Sequence, residues 1–302
     1  MANRKIAYLI NPISGTRSKE KVLELIKKKT TEQGIPFEIL ATNAEGNYNF
    51  IKEKVRNEGL TDVVICGGDG SISKITGALL DQDIRFGIIP MGSGNGLALS
   101  ARIPRNTSKA LDIIFNCKDD RVDGIMINGV FSCMLCGLGF DAAVAAVFAN
   151  SKVRGLKTYV KLSALHYLKA QPYPFIIEAN GHTVESAAYF ISIANSNQFG
   201  NNFTIAPKAS LQDGLLDIVI VKGMNKLVLP FSILTQITGI NALQEMGELI
   251  DKKNIIYFQT DKLIIRNPQL APLQTDGEPV ETSDEFEITV LPKAYRLIQP
   301  FV

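Results

Sequence analysis

The chain has 302 residues, of which 46% are hydrophobic and 21% are charged, and its formal net charge at pH 7 is +2. This composition is typical of a globular protein, and the length favours two domains over a single core. A net charge this small excludes the strongly basic surface of most nucleic-acid-binding proteins, so no nucleic-acid partner is expected.

The first 120 residues alternate predicted strands with predicted helices. Strands are predicted at residues 5–10, 36–41, 61–66 and 85–89, and helices at residues 18–30, 48–57, 72–80 and 97–101. This alternation predicts right-handed βαβ units around a parallel sheet, which binds ligands at the carboxyl ends of its strands. We therefore predict a doubly wound α/β nucleotide-binding domain over residues 1–122.

After about Arg121 the pattern changes to short, β-branched or alternating segments. Asn128-Gly129 and Asn180-Gly181 favour two-residue hairpin turns. Strands are predicted at residues 124–130, 174–179, 183–194, 215–221, 254–259, 262–266 and 285–291, with helical insertions at 141–170 and 227–249. This pattern predicts a mostly antiparallel β-sandwich domain over residues 123–302. The last ten or so residues are candidates for a segment that returns to the first domain.

The sequence predicts neither a signal peptide nor a membrane span. The apolar run Ile6–Ile10 is too short for a signal peptide, because Asn11-Pro12 follows at once. No stretch approaches the roughly 18–20 apolar residues of a membrane span. We expect a cytoplasmic protein whose membrane contact is peripheral.

Cys133-x-x-Cys136 has the spacing of a metal or redox motif, but the sequence contains no second pair. Free cysteines are among the most buried residues in proteins. We interpret both as buried thiols, with a metal or redox site as the alternative.

Two glycine-rich turns, Gly67–Ser71 and Gly92–Gly96, each follow a predicted strand and precede a predicted helix. Glycine turns at helix N-termini expose backbone N–H groups that bind phosphate, since no Cβ blocks its approach. Two such turns about 25 residues apart indicate neighbouring strands and one shared phosphate site. The nucleotide-binding motif G-x-x-x-x-G-K-[ST] and the protein-kinase motifs are absent from the sequence, and two histidines make a histidine triad improbable.

Four motifs in chain order carry a family resemblance. They are Asn11-Pro12-x-Ser14-Gly15, Gly67-Gly68-Asp69-Gly70-Ser71, Pro90-x-Gly92-Ser93-Gly94-Asn95 and Asp276-Gly277-Glu278. Together they resemble the catalytic domain of the diacylglycerol kinase-like lipid kinases, which include bacterial diacylglycerol kinases, sphingosine kinases and ceramide kinases. The segments Gly137–Asp141 and Ser210–Asp217 also resemble this family, so the resemblance spans nearly the whole chain.

Five positions depart from the family pattern. Ser71 replaces a threonine, Ser73-Lys74-Ile75 replaces Asn-Glu-Val, and Gly96 stands where bacterial members often have aspartate. Gly-Ser-Gly-Asn is closer to the sphingosine-kinase version of the second loop. The alternatives to a diacylglycerol kinase are therefore a kinase for a sphingoid or other long-chain alcohol, and a nucleotide-binding regulatory protein without kinase activity.

The resemblance implies that ATP is held by the glycine turns and nearby hydroxyls. The implied ATP-binding residues are Asn11, Pro12, Ser14, Gly15, Thr42, Gly67, Gly68, Asp69, Gly70, Ser71, Gly92, Ser93, Gly94 and Asn95. A carboxylate within a phosphate-binding turn repels phosphate unless it holds Mg²⁺ or meets the acceptor hydroxyl, so Asp69 is also a catalytic candidate. Glu278 is implied as the base for the lipid hydroxyl, and a plain hairpin turn with solvated carboxylates is the alternative.

The resemblance also implies a structural Mg²⁺ site in the second domain. Its expected ligands are Ser210, Asp213, Leu215 and Asp217, and Mg²⁺ prefers few carboxylates plus water. A simple β-turn at Asp213-Gly214 is the alternative. Three cations near the middle of the chain are candidates to face phosphate or to lie exposed on a helix: Lys152, Arg154 and Lys157.

These expectations combine into one hypothesis. The protein is expected to transfer the γ-phosphate of ATP, with Mg²⁺, to a lipid hydroxyl at a membrane surface, most like that of diacylglycerol. A homodimer is left open as the oligomeric state.

Overall fold

The structure, a computed structural model, describes residues 4–12, 19–43, 45–149, 166, 170–198, 204–224, 236, 243 and 254–300. The chain divides into two compact units. The first contains residues 1–122 and 293–302, and the second contains residues 123–292. The chain therefore enters the second unit once and returns to the first near its C-terminus.

The first unit alternates strands and helices. Its elements are β1 (Ile6–Ile10), α1 (Lys19–Glu32), β2 (Phe37–Ala41), α2 (Asn49–Glu58), β3 (Asp62–Gly67), α3 (Asp69–Ala78), β4 (Arg85–Pro90), α4 (Gly96–Ser100) and α5 (Thr107–Asn116). The four strands are parallel and lie in the order β2-β1-β3-β4. Every residue of β1 and β3 is buried, as in parallel sheets that are covered on both faces.

Two helices of this unit differ from the sequence prediction. Helix α3 begins at Asp69, three residues earlier than predicted, because Gly68 is the extended N-cap and an acidic residue is favourable in a first helical turn. Helix α5 was not predicted, although its sequence carries a start signal: the Oδ1 of Asn106 accepts a hydrogen bond from the backbone N–H of Lys109 at 3.1 Å.

The second unit consists mainly of antiparallel strands. The remaining elements of the chain are β5 (Asp119–Ile127), β6 (Val130–Ser132), β7 (Leu135–Gly139), α6 (Phe140–Ala149), β8 (Tyr173–Ala179), β9 (His182–Ala194), β10 (Leu216–Lys222), β11 (Ile255–Thr260), β12 (Lys262–Arg266), β13 (Leu273–Thr275), β14 (Glu278–Val280) and β15 (Glu285–Ile298). The strand order in the second unit is β14-β13-β7-β9-β8-β12-β15. Strand β10 pairs with both β9 and β11. Their apolar faces enclose one core that includes Phe175, Phe258 and Phe286.

The C-terminal part of β15 belongs to the first unit. Arg296 and Leu297 pair with the start of β4 in parallel. The Arg296 guanidinium also donates to the carboxylates of Asp119 at 2.7 Å and Asp83 at 3.1 Å. This pairing adds a fifth parallel strand to the sheet of the first unit.

Three hairpins of the second unit close through two residues with positive φ. Asn128-Gly129 joins β5 to β6, Asn180-Gly181 joins β8 to β9, and Asp276-Gly277 joins β13 to β14. Positive φ at both central residues is the type I′ geometry, whose twist matches that of the paired strands. The first two hairpins had been predicted from their Asn-Gly sequences.

The predicted architecture is confirmed: an α/β unit with a parallel sheet and a mostly antiparallel β unit. Of the two predicted helical insertions, the first appears as α6, and its remainder lies almost entirely outside the described residues, as does the insertion at 227–249. In the described ranges, every helix is too short or too polar to cross a bilayer.

Candidate active site

The two glycine loops of the first unit are in backbone contact at the carboxyl edge of its sheet. A Cβ built on Gly68 would lie 3.1 Å from the Cα of Gly92, and one built on Gly92 would lie 2.6 Å from the Cα of Gly68. Real Cβ atoms do not approach backbone so closely, so glycine is required at Gly92 and strongly favoured at Gly68. The predicted pairing of the two loops on neighbouring strands is therefore present.

Asp69 joins the same two loops by hydrogen bonds. It is the first residue of α3, and its carboxylate oxygens accept from the backbone N–H groups of Gly96 at 3.0 Å and Leu97 at 3.1 Å. Removal from water raises the pKa of the Asp69 carboxyl, and these hydrogen bonds act in the opposite direction. The structure thus places Asp69 as an anchor of the second loop.

The second loop is closed by its own side chain. Asn95 adopts a left-handed conformation with φ 53°, accepts from the backbone N–H of Gly92 at 2.7 Å, and donates to the Gly92 carbonyl at 2.7 Å. Arg105, which sequence analysis missed, donates to the Gly94 carbonyl at 2.9 Å. Its only sequence signal was a cation shortly after the second glycine turn. Ser93 is exposed at the tip of this loop.

The carboxyl ends of β1 and β2 lie at the same edge of the parallel sheet as the two glycine loops. The Nδ2 of Asn11 donates to the Ser71 hydroxyl at 2.8 Å, so the end of β1 is tied to the first glycine loop at the start of α3. Thr42 N–H donates to the Ile10 carbonyl at 3.0 Å, which places Thr42 directly after β2. Pro12 follows Asn11, whereas the predicted Ser14 and Gly15 lie outside the described residues.

These residues fit a phosphate ligand. Gly68, Asp69, Gly70 and Ser71 are all partly exposed where α3 begins. The first N–H groups of a ten-residue helix have no partner within the helix and favour an anion. Lys74, in the second turn of α3, is exposed, and Gly96 supplies a backbone donor to Asp69.

In the second unit, the Asp276-Gly277 turn is anchored rather than solvated. The Asp276 carboxylate is buried and accepts four hydrogen bonds, from the Ser132 hydroxyl at 2.8 Å and from the backbone N–H groups of Cys133, Met134 and Leu135 at 3.0–3.1 Å. The alternative of a hairpin with solvated carboxylates is therefore wrong for Asp276.

Glu278 follows this turn as the first residue of β14, and its side chain is exposed. A carboxylate that is open to solvent can meet an incoming hydroxyl, so the exposure of Glu278 is compatible with its predicted role as base. Gly277 N–H donates to the Oε1 of Gln274 at 2.7 Å, which holds the turn from its other side.

The candidate Mg²⁺ cluster lies around the start of β10. Asp213 is exposed and Asp217 is buried. Asp123, which sequence analysis missed because it lies 91 positions before Gly214, accepts from Gly214 N–H at 2.8 Å. Burial raises the pKa of Asp217 to about 6, and the charge of Asp213 adds to the shift.

Partial desolvation raises the pKa of the exposed Asp213 carboxyl, and the charge of Asp123 raises it further. Carboxylates that raise one another's pKa are relieved by a cation, so these residues fit Mg²⁺ chemically. Both oxygens of Asp217 are nevertheless engaged, by the hydroxyl of Tyr257 at 2.5 Å and the amide of Gln259 at 3.0 Å. Among the described residues, no three His, Cys, Asp or Glu side chains are arranged to hold a metal ion. The ligand set stays a prediction.

A structural Mg²⁺ site predicts a metal-dependent melting temperature. Titration of Mg²⁺ in the millimolar range should raise the melting temperature of the wild type, because a ligand that binds only the folded state stabilises it. Asp213→Ala should abolish this rise. Asp261→Ala, which removes an exposed aspartate at the β11–β12 turn, should keep it. Identical wild-type melting curves with and without Mg²⁺ would exclude the site.

The two cysteines of the Cys133-x-x-Cys136 motif lie in the interior of the second unit. Cys133 and Cys136 are both buried and free, and burial raises the pKa of the Cys136 thiol. The prediction of buried thiols is confirmed. The candidate cations Lys152, Arg154 and Lys157 lie outside the described residues.

Each of the two units matches a known protein family. The diacylglycerol kinase catalytic domain matches residues 5–127, and the YegS C-terminal NAD kinase beta sandwich-like domain matches residues 135–299. The second match alone covers more than half of the chain. The two domains in this order are those of a phosphotransferase, and the chain belongs to the diacylglycerol kinase-like lipid kinase family.

Individual relatives are similar over nearly their whole length. The chain is 28% identical over 310 residues to "Probable lipid kinase YegS" of Salmonella typhimurium, covering 99% of this chain and 98% of that protein. It is 26% identical over 288 residues to a diacylglycerol kinase of Bacillus subtilis, covering 92% and 90%. The crystal structure of a diacylglycerol kinase from Bacillus anthracis shares the fold, with a TM-score of 0.72 at 18% identity and coverage of 98% and 97%.

Proposed function

We propose that this lipid kinase transfers the γ-phosphate of ATP, with Mg²⁺, to the hydroxyl of a diacylglycerol-like lipid at a membrane surface. The observation that carries the proposal is the backbone contact of Gly68 with Gly92, which brings two phosphate-type loops to one edge of a parallel sheet. The similarity to a Bacillus subtilis diacylglycerol kinase supports this choice of lipid.

The nucleotide is assigned to the first unit. Phosphoryl transfer requires positioning and charge neutralisation more than covalent chemistry. Backbone N–H groups at the start of α3 would bind phosphate oxygens, and the Ser71 and Ser93 hydroxyls would add donors. Asp69 holds the second loop against the first by its bonds to Gly96 and Leu97. Mg²⁺ would neutralise phosphate charge when bound.

The acceptor base is assigned to Glu278. As the lipid oxygen attacks the γ-phosphorus, the hydroxyl proton passes to a Glu278 carboxylate oxygen and the bond between the γ-phosphorus and the ADP oxygen breaks. A positioned base contributes about 10²–10⁴-fold to rate. The fixed turn at Asp276 and Gly277 supports this role, because it sets the backbone from which Glu278 extends.

The test is incubation with labelled ATP and a mixed lipid extract, followed by mass spectrometry of the labelled product. Phosphatidic acid is the expected product. Gly68→Val is the variant that disrupts the proposed phosphate site, because the valine side chain must displace the backbone of Gly92. The variant should lose labelling of lipid while its circular dichroism spectrum stays unchanged. A phosphorylated sphingoid base would replace the lipid assignment, and nucleotide binding without any labelled lipid would favour the regulatory alternative.

A further inference from the structure

A single side chain links a buried aspartate to the turn that presents Glu278. Asp141, in the first turn of α6, is 6% exposed. Its Oδ2 accepts a hydrogen bond from the Nε2 of Gln274 at 3.2 Å, and its Oδ1 has no hydrogen-bond partner among the described residues. Burying a carboxylate oxygen without a partner costs free energy. Backbone N–H groups at the start of α6, including that of Ala142, offset part of this cost.

Gln274 completes the link to the turn. Its Oε1 accepts from the Gly277 N–H at 2.7 Å, so one amide group touches both Asp141 and the residue before Glu278. Gln274 lies opposite Gly137 in the β13–β7 pairing. A Cβ on Gly137 would lie 1.9 Å from the Asp141 Oδ2 and 2.7 Å from the Gln274 Nε2. The missing side chain of Gly137 is what leaves room for the link.

The charge state of Asp141 decides how the Gln274 amide is oriented. An ionised carboxylate can only accept hydrogen bonds, so it binds Nε2 and leaves Oε1 for the Gly277 N–H. A protonated carboxyl can also donate, which allows the amide to turn over. The Nε2 group would then face the Gly277 N–H, donor against donor, and the Gly277 side of the turn would lose its hydrogen bond, while Asp276 would still anchor the other side.

We propose that Asp141 is a positioning residue for phosphoryl transfer, whose ionised carboxylate acts through Gln274 to fix the backbone that presents Glu278. The inference rests on the proposed role of Glu278 as base. Asp141 needs no contact with substrate for this role, because its effect passes through the Gly277 amide.

The surroundings of Asp141 favour titration near neutral pH. Helix α6 packs against β7, β9, β13 and β14. Among the residues that the structure describes, the titratable groups on these elements near Asp141 are Cys136 of β7, Tyr189 of β9, Asp276 of the turn and Glu278 of β14. Burial raises the pKa of the Asp141 carboxyl to about 7, while the Gln274 hydrogen bond acts in the opposite direction. Burial also raises the pKa of the Cys136 thiol, which therefore stays neutral.

The raised pKa of Asp141 also makes the stability of the fold depend on pH. A carboxyl whose pKa is higher in the folded state, about 7 against 3.8, binds its proton more tightly there. Its contribution to stability is greatest below about pH 4 and is lost as pH rises to about 7. Asp141→Asn removes this loss, so its melting temperature should rise relative to the wild type between these pH values.

The kinetic test compares wild type, Asp141→Asn and Gln274→Met from about pH 6 to about pH 8.5. Wild-type kcat should rise by about tenfold through about pH 7, since small misplacements of a catalytic group have effects of this size or larger. Both variants should stay near the wild-type low-pH rate at every pH, with KM for ATP unchanged. Glu185→Gln, an exposed carboxylate on β9, should keep the wild-type profile.

A measurement without turnover separates this inference from the proposed function. The ¹⁵N-labelled Gly277 amide should shift with a midpoint near pH 7 in the wild type and lose this titration in Asp141→Asn and Gln274→Met. If the wild type phosphorylates no lipid, the proposed function fails, whereas the amide titration still decides whether the link exists. A pH step in kcat that persists in either variant, or a Gly277 amide that does not titrate near pH 7, overturns the inference.

Discussion

Asp69→Asn is expected to lose at least about a hundredfold in turnover, which corresponds to about 2.7 kcal/mol of transition-state stabilisation. The Asp69 carboxylate accepts two backbone hydrogen bonds, from Gly96 and Leu97. An asparagine keeps one acceptor oxygen and places an NH₂ group where the second acceptor was, so one contact becomes donor against donor. The second loop then loses its fixed position relative to the first.

The fold should survive this substitution. Removal from water raises the pKa of Asp69, so its ionised form reduces stability once pH exceeds the ordinary titration range of aspartate. Replacing it with a neutral amide removes that cost, which offsets part of the lost hydrogen bond. Melting temperature and circular dichroism are therefore expected to change little, and the loss of turnover should not reflect unfolding.

Binding measured apart from turnover separates two roles for Asp69. If Asp69 only anchors the second loop, the Kd for ATP should rise in step with the loss of kcat/KM. If it also holds Mg²⁺ or meets the lipid hydroxyl, kcat should fall while Kd stays near the wild-type value. Asp81→Asn, an exposed aspartate paired with Lys52, is the matched control. A variant that keeps more than about a tenth of the wild-type rate would falsify both roles.

Local signals were sufficient to predict the architecture. The βαβ alternation ahead of residue 122 and the Asn-Gly turns after it depend on neighbouring residues, and hydrophobic periodicity together with turn chemistry reports these well. The glycines at Gly68 and Gly92 were predicted for the same reason, because a backbone that must approach closely excludes other residues.

Contacts between distant parts of the chain could not be predicted in this way. Asp69 was predicted to hold Mg²⁺ or to meet the acceptor hydroxyl, and nothing near it in the sequence indicated the two backbone N–H groups, 27 and 28 positions away, from which its carboxylate accepts. Asp123 next to Gly214 and Asp141 next to Gln274 are 91 and 133 positions apart. Their sequence neighbours carry no sign of these partners, because tertiary packing alone brings them together.

Glu278→Gln is expected to give the second large effect, a loss in kcat of about 10²–10⁴-fold with the lipid substrate. Glutamine keeps the size of the side chain but cannot accept a proton from the lipid hydroxyl. Glu278 is exposed, and the turn before it is fixed through Asp276 and Gly277. The substitution should therefore leave the backbone and the melting temperature near those of the wild type.

Separate measurements of kcat and of the Kd for ATP identify the role of Glu278. A base acts in the chemical step, so kcat should fall while the Kd for ATP, measured without lipid, stays near the wild-type value. Glu281→Gln, a nearby exposed carboxylate, should retain normal kcat. The opposite result, a normal kcat with weakened ATP binding, would make Glu278 a contact for nucleotide or metal. The proton would then need another acceptor, and Asp69 would be the carboxylate to test, although both of its oxygens already accept hydrogen bonds.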